Sequence, residues 1–250
     1  MLSYEIKGEG PALVFLHGFL CSSDVWECLI PLLERDFQLV MIDLPGHGAS
    51  LDVQMESMSQ IVSDVIKVTK ALNLKKYHLL GHSMGGYVAL ALMAQVSSQI
   101  MSLTLLHSTP FADSEEKKMQ RLRAIKAVKK TRMLFVRQFI ARLFAARNVE
   151  ACYPYIRDLE NTAEGISKHT IIQSMQIMKD RPSYAQLLKN TEVPVRLILG
   201  LDDPVVDLIS LLQYYRTSNV KIHSLSETGH MGFYECPERC SQIIRESLLV

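Results

Sequence analysis

At 250 residues the chain suits one domain of ordinary size with room for an inserted subdomain, and its 48% hydrophobic and 21% charged content excludes extended disorder. A formal net charge of +1 gives no global reason to expect a nucleic-acid partner, and apolar stretches of strand length or broken by polar residues exclude a membrane span. The charged opening MLSYEIKGEG is unlike a secretory signal, so a cytoplasmic protein with reduced thiols at Cys21, Cys28, Cys152, Cys236 and Cys240 is expected.

In chain order, Leu2 to Lys7 alternates like a half-buried edge strand, and Ala12 to Leu16 is a continuous apolar run suited to a central strand covered on both faces. Ser22, Ser23 and Asp24 offer N-caps for a helix reaching about Glu34, with Val25, Trp26, Leu29, Leu32 and Leu33 inward. Gln38 to Ile42 reads as a second buried strand, and Ser57 to Leu72 places apolar residues at helical spacing. A third strand, Tyr77 to Leu80, runs through Gly81-His82-Ser83-Met84-Gly85 into an Ala- and Leu-rich helix that begins near Gly86 and ends near Val96. Leu103 to Leu106 follows as another strand, and this βαβα alternation predicts a parallel sheet wrapped by helices.

The rhythm stops at Pro110. Residues 111–190 read as helix without a convincing strand, after which Val195 to Leu199 (strand), Leu208 to Tyr215 (helix), Val220 to Leu225 (strand) and Pro237 to Leu249 (helix) resume it. The expected division is a core of residues 1–110 and 191–250 with a helical lid at 111–190.

Chemistry concentrates at strand ends. G-x-S-x-G between a strand and a helix demands a tight, strained turn that pushes a serine side chain out at the edge of a sheet, and Ser83 sits in that context. A serine hydroxyl needs a base within reach and the base needs an orienting acid. Asp202 and Asp203 follow the strand Val195 to Leu199, and His230 follows the strand Val220 to Leu225, where a parallel sheet presents its ligands. The order Ser, Asp, His is the one that accompanies such a turn. No metal or cofactor is expected, since Cys236 and Cys240 lack a second pair of ligands.

With HGF at His17 to Phe19, DLPGHGAS at Asp43 to Ser50, GHSMGG at Gly81 to Gly86, GLDDP at Gly200 to Pro204 and GHMGFYECPE at Gly229 to Glu238, the chain resembles the lid-bearing, serine-nucleophile α/β-hydrolases over nearly its whole length. The resemblance implies a carboxylesterase-like fold and activity. It also implies Asp203 rather than Asp202 as the triad acid, and an oxyanion hole at the backbone N–H groups of Phe19 and Met84. His17 and Gly18 would shape that loop, and the histidines at 47, 78, 82, 107, 169 and 223 are expected to be structural. Serine at the nucleophile seat excludes the epoxide hydrolases and haloalkane dehalogenases of similar fold, which carry Asp there.

Three functions follow from the resemblance. The first is hydrolysis of a small or medium ester through an acyl-enzyme. The second is pyruvate elimination as in the similar menaquinone-pathway synthase, whose usual arginine after the double glycine is replaced here by Tyr87. The third is ligand binding without catalysis. The pocket is expected to be mostly apolar and adaptable, drawing on Phe19, Trp26, Tyr87, Phe139 and Leu143. From Ser114 to Asn148 there are eleven basic residues against two acidic ones, a local charge of +9. An apolar stripe through Ile125, Val128, Met133, Val136, Phe139, Ile140, Leu143 and Phe144 predicts that these charges point to solvent. The alternative is that they attract an anionic substrate or carrier, such as a carboxylate, a coenzyme A ester or an acyl carrier protein.

Overall fold

The computed structural model describes residues 1–248. Its first elements are strand β1 (Tyr4–Lys7), strand β2 (Ala12–Leu16), helix α1 (Ile30–Leu33), strand β3 (Gln38–Ile42) and helix α2 (Met58–Ala71). Strand β4 (Tyr77–His82), helix α3 (Met84–Val96) and strand β5 (Ile100–Leu106) complete the first half. Next come helices α4 (Glu115–Ala141), α5 (Tyr153–Gly165), α6 (Lys168–Asp180) and α7 (Ala185–Asn190). The chain closes with β6 (Val195–Gly200), α8 (Leu208–Tyr215), β7 (Lys221–Leu225), α9 (Gly232–Glu235) and α10 (Pro237–Leu248). Leu249, expected to end the last helix, lies outside the described residues.

The strands form one sheet in the order β1-β3-β2-β4-β5-β6-β7, parallel except for the antiparallel edge strand β1. β2 and β4 are buried along their whole length, as their unbroken apolar runs require of strands covered on both faces. α3 is apolar all round and buried from Met84 to Met93, because it lies between the sheet and its neighbouring helices. The carboxyl ends of β2, β4, β5, β6 and β7 all lie along one edge of the sheet, and β4 occupies its centre.

Residues 111–190, between β5 and β6, hold α4 to α7 and, among the described residues, no strand. Ser114 caps α4 by accepting a hydrogen bond from the Lys117 N–H at 3.3 Å, and Glu115 and Glu116 fill the first turn where negative charge suits the helix dipole. α4 packs against α5 and α6 and kinks at Thr131, whose φ of −146° and ψ of 76° are not helical.

The helix expected from Ser22 to Glu34 is broken in two. Ser23–Trp26 forms a 3-10 turn capped by the Ser22 hydroxyl, and α1 starts afresh at Ile30. Pro31 explains the break, since it has no N–H to continue a helix but suits the first turn of a new one.

Two glycines give opposite predictions. A Cβ on Gly85 would lie 2.1 Å from the Leu16 carbonyl oxygen, whereas on Gly165 the nearest atom is Leu51 Cδ1 at 3.8 Å. Chemical denaturation of Gly85→Ala is expected to show a loss of about 2 kcal/mol or more, while Gly165→Ala should gain about 0.5 kcal/mol by restricting the unfolded chain. Equal effects at the two positions would contradict this packing.

Candidate active site

Ser83 follows β4 directly and adopts φ 50° and ψ −113°, a left-handed backbone that a non-glycine residue rarely takes. Its N–H donates to the Leu106 carbonyl at 3.0 Å, and its carbonyl accepts from the Ser108 hydroxyl at 2.8 Å. The strained turn is therefore held from both sides by β5 and the residues after it. Its hydroxyl is left 2.9 Å from His230 Nε2.

His230 lies just beyond β7 in a loop fixed at several points. Its N–H donates to the Leu143 carbonyl at 2.6 Å and its carbonyl accepts from His82 Nε2 at 3.0 Å. The Glu235 carboxylate gathers the N–H groups of Gly229 at 3.0 Å, Met231 at 3.1 Å and Ala145 at 2.9 Å, so one side chain ties this loop to the helical insertion. The other ring nitrogen, Nδ1, is 2.8 Å from Asp203 Oδ2 and 3.0 Å from Oδ1.

The Asp203 side chain is buried, and its Oδ1 also accepts from the N–H groups of Val205 at 2.8 Å and Val206 at 3.1 Å. Asp202 is exposed and faces Arg147 at 3.9 Å, away from His230. The geometry thus brings Ser83, His230 and Asp203 into one chain and leaves Asp202 out.

A fourth residue joins them that the sequence reading treats as merely structural. His107 Nε2 accepts the Gly232 N–H at 3.1 Å, so its proton sits on Nδ1 and points at Asp203 Oδ2, 3.1 Å away. In this tautomer the 3.4 Å approach of the Gly200 N–H to the same Nδ1 is not a bond. Asp203 is therefore held between two imidazoles. Burial works against its ionisation, but attraction to His230 and the bonds from His107 and His230 outweigh that and hold the carboxyl far below its ordinary range. The ligand atoms of His107, Asp203 and His230 lie within 4.8 Å of one another, a spacing a metal could use. Here His107 presents a proton to the carboxylate, and its other nitrogen is already engaged, so the set suits hydrogen bonding better than coordination.

The loop after β2 is set by His17 and Asp43. His17 Nε2 accepts the Leu44 N–H at 3.0 Å and its Nδ1 donates to the Gly18 carbonyl at 2.9 Å, while Asp43 accepts from Ser23 at 2.7 Å and Ala49 at 2.9 Å. A Cβ on Gly18 would lie 3.4 Å from Ser83 Cβ, which puts this loop against the serine. Among the described residues neither the Phe19 nor the Met84 N–H donates to a protein acceptor.

A cavity of about 390 Å³ is lined by Phe19 of the loop that lies against Ser83, by Pro204 and Val205 next to Asp203, and by residues of α4; Ser83, His230 and Asp203 are not themselves among its lining residues. Phe19, Tyr87 and Phe139 line it as expected. Trp26 does not. Its indole packs in the core against Phe15 and Phe233, because the 3-10 turn that carries it faces the sheet. Leu143 is also buried away from the lining, and its contribution is the carbonyl that holds His230. The expectation that the basic residues of this stretch all face solvent fails at Lys117 and Arg121, which are half-buried and line the cavity; Arg142, just past α4, also borders it but is exposed. Beneath them Arg181 donates to Asp113 at 2.7 Å and stacks over Tyr87, 3.7 Å from the ring centroid.

The sequence model of the alpha/beta hydrolase fold matches residues 11–237. Among curated proteins, the chain is 38% identical to a pimeloyl-[acyl-carrier protein] methyl ester esterase of Nitrosomonas europaea over 106 residues, which cover 42% of this chain and only 40% of that protein. It is 25% identical to the protein of the same name from Methylococcus capsulatus, covering 98% of this chain and 97% of that one. A thermophilic esterase from Thermogutta terrifontis, solved with malate bound, superposes with a TM-score of 0.90 at 25% identity, covering 99% and 93% of the two chains. No helix among the described residues is long and apolar enough to cross a membrane.

The buried histidines make stability depend on pH. Burial lowers His17 to about 4 and His47 to about 3, against an ordinary value near 6.5, so both are neutral in the fold. The unfolded chain takes up their protons first, so their contribution is full above pH 6.5 and is lost as the pH falls towards 4. At about 1.4 kcal/mol per unit of separation, His17 alone accounts for about 3 kcal/mol. Urea midpoints between pH 7.5 and 4 should fall steeply below pH 6.5, and a flat profile down to pH 4 would contradict neutral burial.

Proposed function

The chain belongs to the α/β-hydrolase family, and from that premise we propose that it is a serine ester hydrolase acting through Ser83, His230 and Asp203. One observation carries the reading. An unbroken path of hydrogen bonds runs from the Ser83 hydroxyl through His230 to Asp203, at 2.9 and 2.8 Å, beside two N–H groups with no protein acceptor among the described residues.

His230 donates from Nδ1 to Asp203, which leaves Nε2 free to take the Ser83 proton as the oxygen attacks an ester carbonyl. In this reading the Phe19 and Met84 N–H groups receive the oxygen as it becomes an oxyanion, a type of contact worth about 10² to 10³ in rate. His230 then gives its proton to the leaving alcohol, and a water deprotonated by the same nitrogen releases the acid from the acyl-enzyme. Asp203 keeps His230 in the required tautomer and stabilises its charged form. In this reading residues 111–190 are a cap over residues 1–110 and 191–250, and the cavity between them receives a small or medium acyl or alkyl group. The curated relatives named as methyl ester esterases agree with an ester as substrate.

The lyase reading is the weaker one, because Tyr87 stands where that reaction calls for an arginine. An arginine does reach that ring, but Arg181 is buried and its terminal N–H groups already serve Asp113 and the Met178 and Phe111 carbonyls, which leaves no bidentate fork for a substrate carboxylate there.

Wild-type protein is expected to turn over short p-nitrophenyl esters and Ser83→Ala to lose at least about 10³ of kcat; retained turnover in the variant would overturn the mechanism. His107→Phe tests the second imidazole on Asp203. Removing that donor frees the Asp203 carboxylate to turn away from His230 Nδ1, so kcat should fall while KM changes little, and the conservative His107→Gln, which keeps an N–H donor, should restore part of the loss. Unchanged kcat in His107→Phe, or equal loss in both variants, would make His107 a packing residue only.

A further inference from the structure

The mostly apolar cavity that Phe19, Tyr87 and Val205 share with the neighbourhood of Ser83 is bordered by cations. Lys117, Arg121 and Arg142 line it together with Phe19, Tyr87 and Phe139, and no Asp or Glu is among its lining residues. Charges on an amphipathic helix ordinarily point outward, and on α4 Arg123, Lys126, Lys129 and Lys130 do so, being exposed. Lys117 and Arg121 are instead half-buried against the cavity, and the exposed Arg142 borders it.

Their partners leave most of this charge unopposed. Lys117 Nζ donates to the Val205 carbonyl at 2.8 Å, a neutral acceptor. Among the described residues no carboxylate lies within 4.0 Å of Lys117 or Arg142. Arg121 pairs with Asp113 at 2.5 Å, but Asp113 already carries Arg181 at 2.7 Å, so one carboxylate serves two guanidinium groups and a positive charge remains.

Chain connectivity sets these charges close to the chemistry. The carbonyl that holds Lys117 belongs to Val205, whose N–H donates to Asp203. Arg142 immediately precedes Leu143, whose carbonyl holds the His230 N–H. A substrate with its ester at Ser83 and its chain along Phe19, Tyr87 and Phe139 would run through a lining that also holds Lys117, Arg121 and Arg142, so a charged group on that chain has cations to meet.

Resting on the serine-hydrolase reading, we propose that this cavity binds a carboxylate, so that the preferred substrates are half-esters of aliphatic dicarboxylic acids. Lys117 and Arg142 receive the free carboxylate by charge-assisted hydrogen bonds, with Arg121 adding field, while Ser83 attacks the esterified end. For monomethyl adipate, the half-ester anion and water give the adipate dianion, methanol and a proton released to solvent.

The test compares monomethyl adipate with dimethyl adipate, which has the same chain without the charge, in wild type, Lys117→Gln, Arg142→Gln and the outward-facing control Lys126→Gln. Adipate binding is measured alongside by calorimetry in wild type and in Ser83→Ala. Wild type should favour the half-ester in kcat/KM by about tenfold or more, the effect of one or two partly screened charge-assisted bonds. Lys117→Gln and Arg142→Gln should each erode that ratio and weaken adipate binding, and Lys126→Gln should change neither. Equal turnover of both esters without adipate binding would overturn the carboxylate site and leave the hydrolase reading standing. No turnover of either ester, with adipate binding that depends on Lys117, would overturn the hydrolase reading and leave the carboxylate site standing. An equal loss in Lys126→Gln would reduce the effect to long-range charge and overturn the site.

Discussion

The left-handed backbone of Ser83 is the constraint on which the rest of the site depends. It is tolerable only because the surrounding positions carry no side chains: a Cβ on Gly81 would lie 2.5 Å from the Gly85 carbonyl oxygen, and one on Gly86 would lie 2.3 Å from Ser108 Oγ. β4 and α3 can therefore meet at an angle that no ordinary turn allows, and the hydroxyl projects beyond the carboxyl edge of the sheet. The central position of β4 places this point between the loop after β2 on one side and the loops after β5, β6 and β7 on the other.

Those loops are held by side chains reaching across long stretches of sequence. His17 fixes the strand end carrying Phe19 against Leu44, Glu235 binds the His230 loop to Ala145, and His107 pins Asp203 from behind. The Asp113 pairing with Arg121 and Arg181 then joins the start of the helical insertion to its later helices, and Arg181 rests on Tyr87 in the first turn of α3. The proposed nucleophile and the helices that line its cavity thus share one continuous set of contacts. In this account specificity and catalysis are coupled through that set, since Leu143 holds His230 and its neighbour Arg142 lines the cavity.

Much of this was legible in the sequence because the signals are local. The unbroken apolar runs of β2, β3 and β4 announced a covered parallel sheet, and G-x-S-x-G between strand and helix announced the turn at Ser83. Asp203 and His230 could be placed because each follows a strand at the same edge. His107 could not be separated from the other histidines, since its role comes from Asp203 and Gly232, which are distant in sequence, although its position just past a predicted strand was a usable hint. Trp26 and Leu143 show the opposite failure. Both lie near site residues along the chain, but neighbourhood in sequence does not say which way a side chain turns. The basic helix misled for a related reason: a periodicity fixes the apolar face of α4 but not what else packs over it, and the cavity reaches around to Lys117 and Arg121.

The central claim is that Ser83 is a nucleophile activated by His230, and covalent capture tests it most directly. Folded protein treated with a fluorophosphonate, then digested and mapped by mass spectrometry, should carry one adduct, on Ser83, formed in the wild type and absent in His230→Ala. A protein that stays unlabelled, or labels at a residue other than Ser83, would contradict the account.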